Sequence, residues 1–160
     1  WQQREAERAA AEREQRELAA RIVDEIRPHD AQVETAHKLQ GENTAAGDFQ
    51  DRSWRHASDG GWFSYELKVL SDKPQELRIT YWGSDRGPRV FDVLVDGTKV
   101  ATQRLQDNRP GEFLDEVHPL PESLTQGKEK VTVKFQAHPE ATAGGVFGIR
   151  VLRPKQTPEP

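Results

Sequence analysis

The feature that most constrains this chain is a two-residue alternation of apolar and polar side chains, recurring in short runs. Between Trp62 and Val69 it puts Phe63, Tyr65, Leu67 and Val69 on one face. Leu77, Ile79 and Tyr81 repeat it, as do Phe91, Val93 and Val95, then Val131, Val133 and Phe135, and finally Phe147, Ile149 and Val151. A period of two is the pattern of strands with one buried face, and several such runs separated by turn residues predict an all-β sandwich. Asp96-Gly97 stands directly between the run ending at Val95 and TKVATQRL. Both residues tolerate the positive φ of a type I′ turn, so the pair predicts a hairpin. Pro110-Gly111, Pro119, Pro121 and Gly127 punctuate the interval before Val131.

The first 27 residues follow another rule. Ala, Glu, Arg, Gln and Leu dominate, no Gly or Pro occurs before Pro28, and Glu12–Arg16 and Glu17–Arg21 are spaced i,i+4 with the acid first. These are helix-favouring choices. Apolar side chains appear only toward the end, as Leu18, Ile22, Val23 and Ile26. The segment reads as a charged helical connector, either a spacer from a preceding domain or a solvated helix whose last turn caps this one. Arg21–Ile26 suit a first strand equally well. The expected organisation is a connector over 1–27, a sandwich over 28–153 and a disordered proline-rich tail over 154–160.

Composition removes several classes of function. The 160 residues include no cysteine, which excludes disulfides, thiolate metal sites and a cysteine nucleophile. A net charge of −4 gives no general reason to expect a nucleic-acid partner. No apolar run approaches the roughly 18 residues of a membrane span. Signatures of nucleophile elbows, zincins, phosphate loops and dinucleotide folds are missing. Gly144-Gly145-Val146-Phe147-Gly148 leads into a strand rather than a helix, so it lacks the N-terminal dipole a phosphate cradle uses. The five histidines, His29, His37, His56, His118 and His138, show no metal-ligand spacing. Asp85 and Asp92 could be read as a hydrolytic carboxylate pair. Strand parity instead places Asp92 and Asp96 on a solvent face, so no enzyme activity is expected.

Aromatic residues carry the stronger signal. Trp54, Trp62 and Trp82 stand at the ends of expected strands, and Arg55, His56, Asp59, Asp85, Arg86 and Arg89 lie near them in sequence. An indole covers the apolar C–H face of a sugar while charged neighbours bond its hydroxyls. The competing reading is that these rings cap the ends of the core, which suits Trp62 best because it begins a regular strand. The candidate carbohydrate-binding set is therefore Trp54, Arg55, Trp82, Asp85, Arg86 and Arg89.

Two resemblances extend this reading. The succession DGGWFSYELKV, ELRITYWG, VFDVLVDGTKVATQRL, LTQGKEKVTVKFQA and GGVFGIRVL is similar to the strand order of galactose-binding-like jelly rolls, including family 6 and family 35 carbohydrate-binding modules. HKLQGENTAAG, WRHASDGGWFSYEL, TYWGSDRGPRVFDVLVDGTKVATQRL and FQAHPEATAGGVFGIR resemble the C-terminal ancillary domain of glycoside hydrolase family 127, the β-L-arabinofuranosidase-like enzymes. That resemblance implies a jelly-roll β-sandwich without a catalytic site, since the family's zinc-binding and nucleophilic cysteines have no counterpart here. It also implies a secreted or periplasmic parent enzyme. The partners it implies are arabinose-containing glycans, or the catalytic (α/α)₆ barrel on which the module would dock; neither nucleic acid nor membrane is expected. No cofactor is expected. The structural calcium of family 6 modules has only Glu42, Asp48 and Asp59 as carboxylates in the corresponding third of the chain, and the asparagine those modules place near the last strand is absent.

Overall fold

A computed structural model describes residues 2–154. Its elements, in chain order, are α1 (Gln2–Arg21), β1 (Ile22–Ile26), α2 (Ala31–Ala36), β2 (Gln40–Phe49), β3 (Arg52–Lys68), β4 (Gln75–Trp82), β5 (Val90–Val95), β6 (Thr98–Arg104), β7 (Phe113–Leu120), α3 (Glu122–Thr125), β8 (Lys130–Ala137) and β9 (Ala143–Leu152). The strands follow the order β6-β5-β8-β3-β9-β4-β7, with β1 added beside β9 and β2 beside β3. The fold is a jelly-roll β-sandwich.

The turn from one layer to the other is made inside β3. Trp62–Lys68 pair with β8, whereas Arg55 and Ala57 pair with β9. One layer is therefore β6-β5-β8 with the second half of β3, and the other is the first half of β3 with β9, β4 and β7. Alternate residues of both layers meet between them: Phe63, Tyr65, Leu67, Leu77, Ile79, Phe91, Val93, Val133, Phe135 and Ile149 are fully buried. Phe63 stacks on Phe135 at 4.9 Å, and Tyr81 of one layer meets Phe91 of the other at 5.7 Å. These are the residues that the two-residue alternation selects. Asp96 and Gly97 adopt φ 48° and 83°, as the expected hairpin requires.

One expected boundary is corrected. The sandwich begins at Ile22 and not at 28, because Ile22–Ile26 pair antiparallel with β9, Ile22 opposite Leu152 and Ile26 opposite Ile149. Helix spacing and strand alternation both suit Ile22, Val23 and Ile26, and the free edge of β9 decides between them. The proline- and glycine-punctuated interval before Val131 contains a strand, β7, that pairs with β4 over its whole length. Pro119 is accommodated there because β7 is an edge strand. The expected tail falls largely on residues 155–160, outside the described residues.

α1 has no buried residue. Its base is nevertheless tied to the sandwich, since Arg21 donates to Glu76 and to the Arg153 carbonyl, each at 2.9 Å. The Arg153 amide returns a bond to the Arg21 carbonyl at 2.7 Å.

Candidate functional site

The site lies on the outer face of the β9-β4-β7 layer, where the β2–β3 hairpin reaches it. Trp82 and Phe113 are opposite each other on β4 and β7, so they share that face. Trp82 meets Phe113 at 4.9 Å and Phe49, from the end of β2, at 5.1 Å. Phe147 on β9 closes the circuit, 5.1 Å from Phe113 and 6.3 Å from Phe49. All four contacts are edge-to-face, the arrangement the ring quadrupoles favour. Phe147 reaches the outer face because a bulge separates Thr80↔Gly148 from Tyr81↔Val146. Four rings thus form a closed aromatic quartet outside the core. Phe49 is its most open member at 38% exposure, and the Arg52 guanidinium covers Phe113 at 4.2 Å. The hairpin tip, Asp48–Ser53, borders an open concavity of about 380 Å³.

Gly145 joins this quartet to a polar corner. A Cβ placed there would lie 3.6 Å from Phe147, 3.6 Å from Trp54 and 3.9 Å from the Asp85 carboxylate. Because glycine carries none, the three side chains converge on bare backbone. Trp54 lies over Gly47, opposite it on β2, so closely that a Cβ at 47 would be 2.7 Å from the indole. Trp54 also packs against His56, with ring centres 4.8 Å apart. Burial, and then the positive charges of Arg89 and Arg55, push the His56 imidazolium toward its neutral form.

Burial raises the pKa of Asp85, partly opposed by Arg89, and no hydrogen bond contributes to the shift. A half-buried carboxylate in that state has acceptor capacity to spare. Arg89 donates to the Gly144 carbonyl at 2.8 Å and to the Arg86 carbonyl at 3.3 Å, fixing the loop around Asp85.

The structure thus brings Trp54, Trp82, Asp85 and Arg89 onto one surface, with Arg86 exposed on the adjoining loop. Arg55 is turned the other way. Its Nε and Nη2 donate to the Glu34 carboxylate at 2.6 and 2.9 Å, and its Nη1 donates to Thr44 at 2.9 Å. The Tyr65 hydroxyl also donates to Glu34 at 2.5 Å. Burial raises the Glu34 pKa, but the bonds from Arg55 and Tyr65 outweigh it and hold the carboxyl below its ordinary value. Arg55 is therefore a structural residue of the β3 bend, and its place in the candidate set is corrected: adjacent residues of a strand point to opposite faces, so Trp54 and Arg55 cannot serve one surface.

Trp62 lies on the outside of the other layer, half-buried beneath the Lys134 ammonium at 4.5 Å. Asp92 bonds Thr102 and His138 on that layer, so it does not join Asp85 in a carboxylate pair. Among the described residues no three His, Asp or Glu side chains gather as metal ligands, and Glu42, Asp48 and Asp59 form no such group. Sequence reasoning misses Phe49, Phe113 and Phe147. Phe49 and Phe113 carry the signal that selected the tryptophans, an aromatic at a strand end beside turn residues.

Residues 17–152 match a sequence family described as a family of unknown function, DUF6805. The chain belongs to that family. A search of curated proteins gives no match. Among solved structures, this DUF6805 domain is similar to a family 35 carbohydrate-binding module from Clostridium thermocellum, with TM-score 0.53, 13% identity, and coverage of 72% of this chain and 92% of that one. It is also similar to an exo-β-1,3-galactanase from Phanerochaete chrysosporium solved with galactose, with TM-score 0.54 and 13% identity, covering 74% of this chain but 28% of the galactanase. The extracellular domain of ANXUR2 from Arabidopsis thaliana matches at TM-score 0.53 and 20% identity, over 74% of this chain and 35% of that one. At these identities the likeness is one of fold.

Proposed function

We propose that this domain is a non-catalytic carbohydrate-binding module whose ligand lies across the aromatic quartet and the Gly145 corner. The observation that carries the reading is the gathering of Phe49, Trp82, Phe113 and Phe147 outside the core, next to Trp54 and an Asp85 carboxylate with acceptor capacity to spare. Aromatic surface supplies apolar contact for the C–H faces of a sugar, and Asp85 accepts hydrogen bonds from its hydroxyls. Arg89 and Arg86 frame the loop that holds Asp85. The fold shared with family 35 carbohydrate-binding modules supports the same reading.

The finer proposal follows from the sequence resemblance: the domain is the ancillary module of a secreted or periplasmic glycoside hydrolase of the arabinofuranosidase type, and its glycans contain arabinose. α1, without a buried residue yet clamped at its base through Arg21, suits a connector to a catalytic domain. Calorimetric titration against a panel of arabinose- and galactose-containing oligosaccharides tests the reading. Binding should be seen for the wild type and lost in Trp82→Ala without loss of fold; no binding across the panel contradicts it. The alternative function, docking on the catalytic barrel, draws on the same exposed apolar face. It predicts instead that the variant weakens association with that barrel while no free glycan binds.

A further inference from the structure

The outer face that carries the quartet continues along the strands to a pair of arginines. Arg78 on β4 and Arg150 on β9 are directly opposite each other, with Glu25 of β1 beyond Arg150 and Val117 of β7 beyond Arg78. Like charges directly opposite on neighbouring strands are destabilising unless something neutralises them. Glu25 is divided between Arg150 at 3.4 Å and Arg27 at 3.8 Å. Asp115, the next acid on β7, is occupied by the Thr80 hydroxyl at 2.6 Å. Arg78 forms no ion pair among the described residues, and its Nε is shielded from water without a hydrogen-bond partner. No described acid neutralises Arg78, so the pair is left short of a negative charge that an anion contacting the two guanidinium groups would supply.

Three further features tie this pair to the quartet. Gly148 lies on the rung between them and offers no side chain. Val117 is 45% exposed beside Arg78, so the strip is open to an incoming ligand. Trp82 and Arg78 are four residues apart on one strand, about 13 Å, a span that a short oligosaccharide bridges and a single ring does not.

We infer that Arg78 and Arg150 form an anion subsite for a carboxylate- or sulfate-bearing unit of a glycan whose neutral part lies on the aromatic quartet. This rests on the carbohydrate reading above, but it makes a separable claim: the ligand is an acidic oligosaccharide, oriented along β4 from Trp82 to Arg78.

The test uses three matched probes: a galactotetraose, the same tetramer oxidised at C6 to uronates, and the same tetramer sulfated at O6. Affinities are measured for the wild type, Arg78→Gln and Trp82→Ala, and the side-chain NMR signals of Arg78 and Trp82 are followed separately. The expected result is about tenfold tighter binding of at least one acidic probe than of the neutral one. That gain should fall with added salt and vanish in Arg78→Gln, whose melting temperature should not drop because a like-charge contact has been removed. Which acidic probe gains distinguishes carboxylate from sulfate. Equal affinity for all three probes, or an acidic preference that survives in Arg78→Gln, overturns the subsite while leaving the carbohydrate reading intact. Movement of Arg78 without Trp82 overturns the aromatic reading and keeps the subsite. If neither signal moves with any probe, both are overturned.

Discussion

Along β4, Leu77, Ile79 and Tyr81 are fully buried, while Arg78 and Trp82, on the other side of the same strand, keep contact with water. The inner face of the β9-β4-β7 layer is joined to the opposite layer by ring contacts such as Tyr81–Phe91. The outer face also carries aromatic rings, but they pack on one another, with the Arg52 guanidinium over Phe113 and no opposing layer of the sandwich above them. The inner rings are placed by the hydrophobic effect, which is non-directional and rewards removal from water. The outer quartet recovers only part of that gain. Stability alone accounts poorly for four large rings on a solvent face, and a ligand that completes their burial accounts for it well.

The comparison is sharpened first by the variants with the largest expected effect. Glu34→Gln removes one partner of a buried ion pair and should cost about 3–5 kcal/mol in denaturant unfolding. Glu34 has a lowered pKa in the folded state, so its contribution is present above the ordinary glutamate value. It is lost as the pH falls through the lower folded value. Acid unfolding of the wild type but not of the variant should therefore show this extra component. Ile79→Ala, on the inner face, should cost about 2–5 kcal/mol.

Trp82→Ala, on the outer face, should separate the two uses of the strand. Its stability cost should be nearer 1 kcal/mol, with glycan binding lost. A cost equal to that of Ile79→Ala would make the quartet part of the core and break the comparison. Phe49→Ala, at the open rim, should weaken binding several-fold and leave melting nearly unchanged.

Asp85→Asn should give the smallest stability effect, and of opposite sign. Burial raises this carboxyl, so the folded state favours the protonated form. Stability therefore declines as the pH rises from the ordinary aspartate value through the raised one, and the cost is fully present above it. The variant should melt at or slightly above the wild-type temperature at neutral pH while binding glycan less well.

The sequence reveals the inner face far better than the outer one. Leu77, Ile79, Tyr81, Phe91 and Val93 announce themselves by alternation because one period governs a whole strand. The quartet draws single residues from β2, β4, β7 and β9, and no local pattern links Phe49 to Phe147 across that distance. Trp54, Trp82, Asp85 and Arg89 flank turns, and that position is what marks them as candidates in the sequence. Nearness in sequence groups Arg55 with them, whereas strand parity separates it. β1 is ambiguous in sequence because Ile22, Val23 and Ile26 fit either a helix or a strand, and pairing with β9 decides it. β7 was hidden by the prolines that an edge strand tolerates.

The most direct test is a calorimetric comparison of wild type and Trp82→Ala on the oligosaccharide panel, with melting temperatures measured on the same samples. The account predicts saturable binding by the wild type, none by the variant, and melting temperatures within a few degrees. A variant that binds as the wild type does, or a wild type that binds nothing on the panel, would contradict it.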